Sequence, residues 1–183
     1  MLVGFWAEKV QLIIAIDEKK IIIVGFDCPL WVFLELLSMG NFLFLYQYVV
    51  DNYNTTLPCF PKGIVNPVKD LRNACAHNNC LLTDLHPQKD TYPSREIVKF
   101  ISNNGAIGGD SRKKKLSSRP ILDFSCLLYM MNQVLAPEVL ASCKAELYDI
   151  IKNEMLPYGS YYRKNDLLLS SYRYFKLCVD FYL

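Results

Sequence analysis

The stretch from Asn66 to Leu82, NPVKDLRNACAHNNCLL, decides how the chain is read. Asn66 followed by Pro67 is a strong helix start, because an Asn side chain caps free backbone amides and Pro fits a first turn whose N–H has no partner. Val68, Leu71, Ala74, Cys75, Leu81 and Leu82 recur at helical spacing, with Arg72, Asn73, His77 and Asn78 on the polar side. The spacing therefore predicts one amphipathic helix over 66–82.

Working outward, the same periodicity predicts helices on both sides. Asp27 can cap a helix with Pro29 in its first turn that runs through Leu30, Trp31, Phe33, Leu34 and Leu37. Gly40 and Asn41 should end it and start a second helix, Phe42 to about Tyr53, and residues 55–63 with Pro58 and Pro61 form a loop. Downstream, helices are expected over 94–103, about 121–135, about 137–155 and from Asn165 onward. Residues 104–119, rich in glycine, serine and bases, read as a mobile surface loop. The expected fold class is all-α, in one domain spanning 1–183. Residues 1–26 stay open, since β-branched runs at Gln11 to Ile16 and Ile21 to Val24 around the polar break Asp17 to Lys20 fit a hairpin, whereas Phe5, Val10, Ile13, Ile14 and Ile16 also fit a helical face.

Composition narrows the function classes. The chain has 183 residues, 52% hydrophobic and 21% charged, which is enough apolar material for a core and excludes global disorder. Its net charge of +2 excludes a strongly basic nucleic-acid binder, so any basic patch must be local. Residues 1–100 carry nine bases against ten acids and residues 101–183 eleven against eight, which puts the excess in the C-terminal half. Seven scattered cysteines and no signal-peptide pattern point to reduced thiols in a cytoplasmic protein. Between Ile21 and Val50 the charges are Asp27 and Glu35, but Pro29, Glu35, Gly40, Asn41 and Gln47 interrupt the apolar run, so two short buried helices are expected there and no membrane partner.

With His77 and His86 the sole histidines, imidazole chemistry has two places to sit, and His77 has the better company. Asn73 and His77 lie four apart on one helical face, so the amide can orient the ring, while Arg72 sits about 140° away on an ideal helix and reaches across with its long side chain. Cutting RNA without a metal needs a base near neutrality for the 2′-hydroxyl proton and a cation for the charge building on the phosphorane oxygens; His and Arg suit those tasks. An Arg followed at a loose interval by a His is a weak signal, but requiring Asn directly after the Arg lowers the chance expectation to about 0.01 per chain of this composition, which makes the tightened form informative.

LRNACAHNNCLL resembles the Arg-Asn-x-x-x-His signature of the HEPN superfamily, in particular its Abi-like branch, the abortive-infection proteins of the AbiD and AbiF type. Upstream, CPLWVFLELLSMGNFLFLYQYV is similar to that branch's Pro-Leu-Trp-Val-x-x-Glu-x-x-Ser-x-Gly segment. The resemblance covers roughly residues 28–85. It implies a HEPN-like helical bundle in which Arg and His of two protomers line a cleft at a homodimer interface. It also implies a metal-independent endoribonuclease that leaves a 2′,3′-cyclic phosphate and acts as an antiviral toxin, with an inhibitory or phage-derived trigger partner. Arg72 would be the phosphate-binding cation, Asn73 the orienting amide and His77 the acid/base. Members often carry a second His where this chain has Asn78, and are commonly longer at the N-terminus, so the resemblance implies a truncated start. The alternative is a catalytically inactive RNA-binding or protein-interaction module on the same scaffold.

Further candidates carry ordinary explanations beside the functional ones. Glu35 lies in the family-like segment and is a secondary site candidate, although a solvent-facing position explains it as well. Cys75, His77 and Cys80 suggest zinc, but on one helix Cys75 and His77 lie about 200° apart and cannot share an ion, so neither a metal nor another cofactor is expected. Arg112, Lys113, Lys114, Lys115 and Arg119 form a basic run suited to RNA phosphates. The rings and bases from Tyr158 to Tyr174 could stack nucleobases, but Leu168, Tyr172, Phe175 and Val179 at helical intervals favour packing.

Overall fold

The computed structural model describes residues 9–11, 15–17, 20–22, 27–53, 58–103 and 105–183. The expected all-α class holds, with nine α-helices and one π-helical turn among the described residues. Strand pairing there is confined to three-residue segments before Leu30. By its contacts the chain divides into two compact units, residues 1–57 and 58–183, at the proline-marked loop.

In the first unit, β1 (Lys9–Gln11) pairs antiparallel with β4 (Asp27–Pro29), and β2 (Ala15–Asp17) pairs with β3 (Lys20–Ile22). The second pairing, Asp17 opposite Lys20, is the hairpin that the β-branched runs permitted. Asp27 and Pro29 therefore belong to a strand rather than to a helix start, and α1 is Leu30–Leu36. α2 is Met39–Asn52, because Ser38, in extended conformation, accepts a hydrogen bond from the Asn41 amide at 3.2 Å. The break expected at Gly40 and Asn41 thus falls earlier, where a better N-cap is available.

The second unit is built around α3 (Lys62–Ala76) and α6 (Arg119–Val134). α3 begins five residues before Pro67, so the proline lies inside the helix and cannot donate to the Gly63 carbonyl. That carbonyl has the Cys126 thiol of α6 at 4.0 Å, where Ile64, Val65 and Pro67 are buried. α4 (Arg95–Ser102) starts at the Ser94 cap, as its spacing predicts, and seals Ile97 and Ile101 in the core.

α5 (Gly109–Leu116) overturns the expected mobile loop at 104–119. Its first turn, Gly109-Asp110-Ser111, is made of poor helix formers, but Leu116 is 1% exposed and that burial anchors the last turn. α7 (Pro137–Asp149) continues into a π-helical turn, Ile150–Met155. The short α8 (Gly159–Tyr162) leads to α9 (Asp166–Tyr182), capped by Asn165, whose side chain accepts from the Leu167 and Leu168 amides. Leu128, Cys126, Cys178 and Val179 complete a core that Tyr182 ties to α4 by donating its hydroxyl proton to the Ile101 carbonyl. Among the described residues no helix is long and apolar enough to cross a membrane.

Candidate functional site

Arg72 and Asn73 sit in the last full turn of α3, and the helix stops immediately after them. His77 is its C-cap residue, with φ −97° and ψ 10°, so the helix expected to run to Leu82 ends at Ala76. Asn78 follows at φ +53°, a left-handed conformation that Asn tolerates better than other side chains. The Asn78 amide then donates to the Cys75 carbonyl at 3.1 Å and the Asn79 amide to the Ala74 carbonyl at 2.9 Å. This pair of bonds is a Schellman cap, with Asn in the place glycine usually takes. Asn78, a secondary site candidate, thus has a backbone role in this structure: it ends the helix.

The cap gives the motif its shape. His77 is exposed, and its amide donates to the Asn73 carbonyl at 3.0 Å, so the last helical bond spans the motif's own residues. Arg72 is exposed too, and its Nη1 donates to the Asn73 side-chain oxygen at 3.3 Å. The amide expected to orient the ring is therefore directed at the guanidinium instead. Charge pairing explains the choice, since a carboxamide oxygen gains more from a cationic donor than from a neutral one. Arg72 has no carboxylate within 4.0 Å among the described residues. No group of three His, Cys, Asp or Glu side chains there could hold a metal. Leaving the helix at Ala76 also removes the premise that Cys75 and His77 lie about 200° apart on one cylinder.

The basic run divides in four. Lys113 and Lys114 are exposed on α5 and available to a phosphate. Lys115, placed with them as an RNA contact, is instead buried, and its ammonium donates to Ser170 Oγ at 2.7 Å and Ser171 Oγ at 2.9 Å on α9. Both hydroxyls pass their own protons to the Leu167 carbonyl, which leaves their lone pairs for the lysine. Burial lowers the Lys115 pKa, and the side chain serves as an internal strut. Arg112 donates to the Ile107 carbonyl at 3.5 Å. Arg119 bridges helices: its Nη2 is 2.7 Å from Asp70 Oδ2 on α3, and its Nε is 2.8 Å from Asp123 Oδ1 on α6. Its partner Asp70 stands two residues before Arg72 on α3, and the Arg119 charge is engaged there.

Asp123 was not among the residues singled out in the sequence. Burial pushes its carboxyl up to about 6, against the opposing pull of Arg119. The four-residue spacing from Arg119 was the available signal, but it reads as an ordinary surface pair until α3 is seen to cover it. Glu35 is exposed on α1 in the first unit. At the C-terminal end, Tyr174 and Val179 are buried as packing residues, while Tyr161 is exposed.

The α3 end also borders a cavity of about 720 Å³ inside the second unit, lined by residues of α3, α6, α9 and the π-helical turn. The lining includes Leu71, Arg72 and Cys75 of α3, so the motif forms one wall of it. Single-sequence periodicity shows which residues are apolar without showing where facing helices stand apart.

Comparison with known proteins gives no match among family models, curated proteins or solved structures.

Proposed function

We propose that the chain is a metal-independent endoribonuclease of the HEPN type, acting as an abortive-infection toxin in the cytoplasm. The observation that carries the reading is Arg72-Asn73-x-x-x-His77 presented at one exposed helix end, with an accessible imidazole and a guanidinium that bonds Asn73 but has no carboxylate partner among the described residues. In the proposed reaction His77 takes the proton of a ribose 2′-hydroxyl as its oxygen attacks the adjacent phosphorus. The bond to the 5′-oxygen breaks, that oxygen takes a proton from solvent water, and a 2′,3′-cyclic phosphate remains. Arg72 neutralises charge on the non-bridging oxygens, and Asn73 holds the guanidinium in place. Lys113 and Lys114 supply phosphate contacts without sequence preference. A homodimer pairing two such helix ends, held silent by an inhibitory or phage-derived partner, belongs to the same proposal.

A second reading is favoured by specific contacts: Lys115 is committed to α9, Arg119 to two aspartates, and the Asn73 amide to Arg72 rather than to His77. On that reading the chain is a catalytically inactive RNA-binding or protein-interaction module. Incubating purified wild type and His77→Ala with total RNA in excess EDTA separates the two. Cleavage by wild type alone, leaving cyclic phosphate ends, supports the nuclease. Salt-sensitive binding without cleavage by the folded wild type supports the module and removes the enzyme reading.

A further inference from the structure

The 720 Å³ cavity of the second unit falls within the about 300–1,000 Å³ typical of small-molecule sites, and its wall has an uneven chemistry. Leu71, Ile121, Phe124, Leu127, Leu168 and Phe175 supply apolar surface. Two polar groups in the lining are already spent. The Ser171 hydroxyl donates to the Leu167 carbonyl and accepts from Lys115, and the Tyr174 hydroxyl bonds Ser125 Oγ at 2.9 Å. The one charged residue of the lining is Arg72, exposed and with no carboxylate within 4.0 Å among the described residues. One bond to Asn73 Oδ1 leaves the other donors of its guanidinium free.

We propose that this cavity binds a free long-chain fatty acid, its alkyl chain among α3, α6 and α9 and its carboxylate on Arg72. The chemistry of the wall selects that occupant. A polar ligand would lose its water without finding partners on Leu, Ile and Phe, whereas an alkyl chain needs none. An extended peptide would bring backbone N–H and C=O groups that this wall cannot satisfy. Beside the hydroxyls of Tyr162 and Tyr172, what the wall offers is one cation, whose planar fork matches a carboxylate with two parallel hydrogen bonds. Leu82, 52% exposed, and Ile150, 39% exposed, also line the cavity, where an alkyl chain would shield them from water. Binding there is independent of whether the chain cuts RNA. If it does, a carboxylate on Arg72 withdraws the phosphate-binding cation, and the fatty acid inhibits cleavage.

The test uses the purified full-length chain without RNA and a dansyl-labelled undecanoic acid as fluorescent probe. One saturable site per chain is expected, from which palmitate displaces the probe and hexadecanol does so about tenfold less well, the worth of a charge-assisted hydrogen-bonded pair. Arg72→Gln should weaken palmitate about tenfold and leave hexadecanol unchanged, while Arg72→Lys retains a preference for the acid. Leu127→Trp, or Leu168→Trp if the first does not keep its helical circular dichroism, should fill the cavity and abolish both. Any of four results overturns the proposal: no probe binding by the folded wild type; equal losses for acid and alcohol in Arg72→Gln; binding to anionic phospholipid vesicles without binding of monomeric palmitate; or a dimer by sedimentation that excludes the probe.

Discussion

The end of α3 and the whole of α5 are both dense in the residues that bind phosphate, yet the structure treats them oppositely. At the end of α3 the chain leaves the helix through a Schellman cap, and Arg72 and His77 stay exposed. In α5 a run of four bases contains one lysine that is buried between two serines of α9, because Leu116 beside it must reach the core. A cation is free or structural according to what its sequence neighbour is bound to, not according to the local density of charge.

The sharpest way to break this contrast is at the exposed end. On the proposed nuclease reading, His77→Ala and Arg72→Ala should each lower RNA cleavage by about 10²–10⁴-fold, the usual worth of a positioned acid/base or charge stabiliser, while circular dichroism and the melting transition stay as in wild type. Loss of the fold in either variant would mean that α3 ends as it does because of these side chains. On the α5 side the order reverses. Leu116→Ala should cost about 2–5 kcal/mol in urea unfolding, as removal of a fully buried leucine does. Lys114→Ala, on the exposed face, should stay within about 0.5 kcal/mol. Equal effects would show that α5 is not anchored by Leu116.

The α3–α6 junction sharpens the comparison through pH. The Asp123 carboxyl is raised from 3.8 to about 6, so the folded state holds its proton more tightly than the unfolded state. The stability this contributes is fully present below pH 3.8 and is lost as pH rises through about 6. Relative to Asp123→Asn, wild type should therefore gain on the order of 1–3 kcal/mol between pH 7 and pH 4. Urea melts of both proteins at the two pH values measure it, and a constant difference would show that Arg119 keeps the carboxylate ionised. The smallest effect is expected at the cap. Asn78→Ala places a Cβ-bearing residue without a local polar side chain at φ +53° and should cost about 1 kcal/mol, whereas Asn78→Gly should cost nothing.

Much of the helical layout is legible in the sequence, and the misses have a common form. The helices at Ser94, Pro137 and Asn165 start where caps and prolines place them, since a cap is a contact with residues two or three positions on. The start of α3 was displaced from Asn66 to Lys62 because its first turn is held by burial of Ile64 and Val65, which Pro67 tolerates while the freed Gly63 carbonyl has the Cys126 thiol of α6 nearby. Its end was displaced from Leu82 to Ala76 because Asn78 can take the left-handed turn, which apolar periodicity does not register.

What the sequence determined alone is what depends on near neighbours. This covers the all-α class, most helix positions, and the clustering of Arg72, Asn73 and His77 within six residues. Tertiary structure decided what depends on partners far along the chain. Lys115 meets serines 55 and 56 residues away, Arg119 reaches back 49 residues to Asp70, and three helices leave a cavity beside Arg72. A charge takes its state from the dielectric and the donors around it, and in a folded chain those are supplied by other helices.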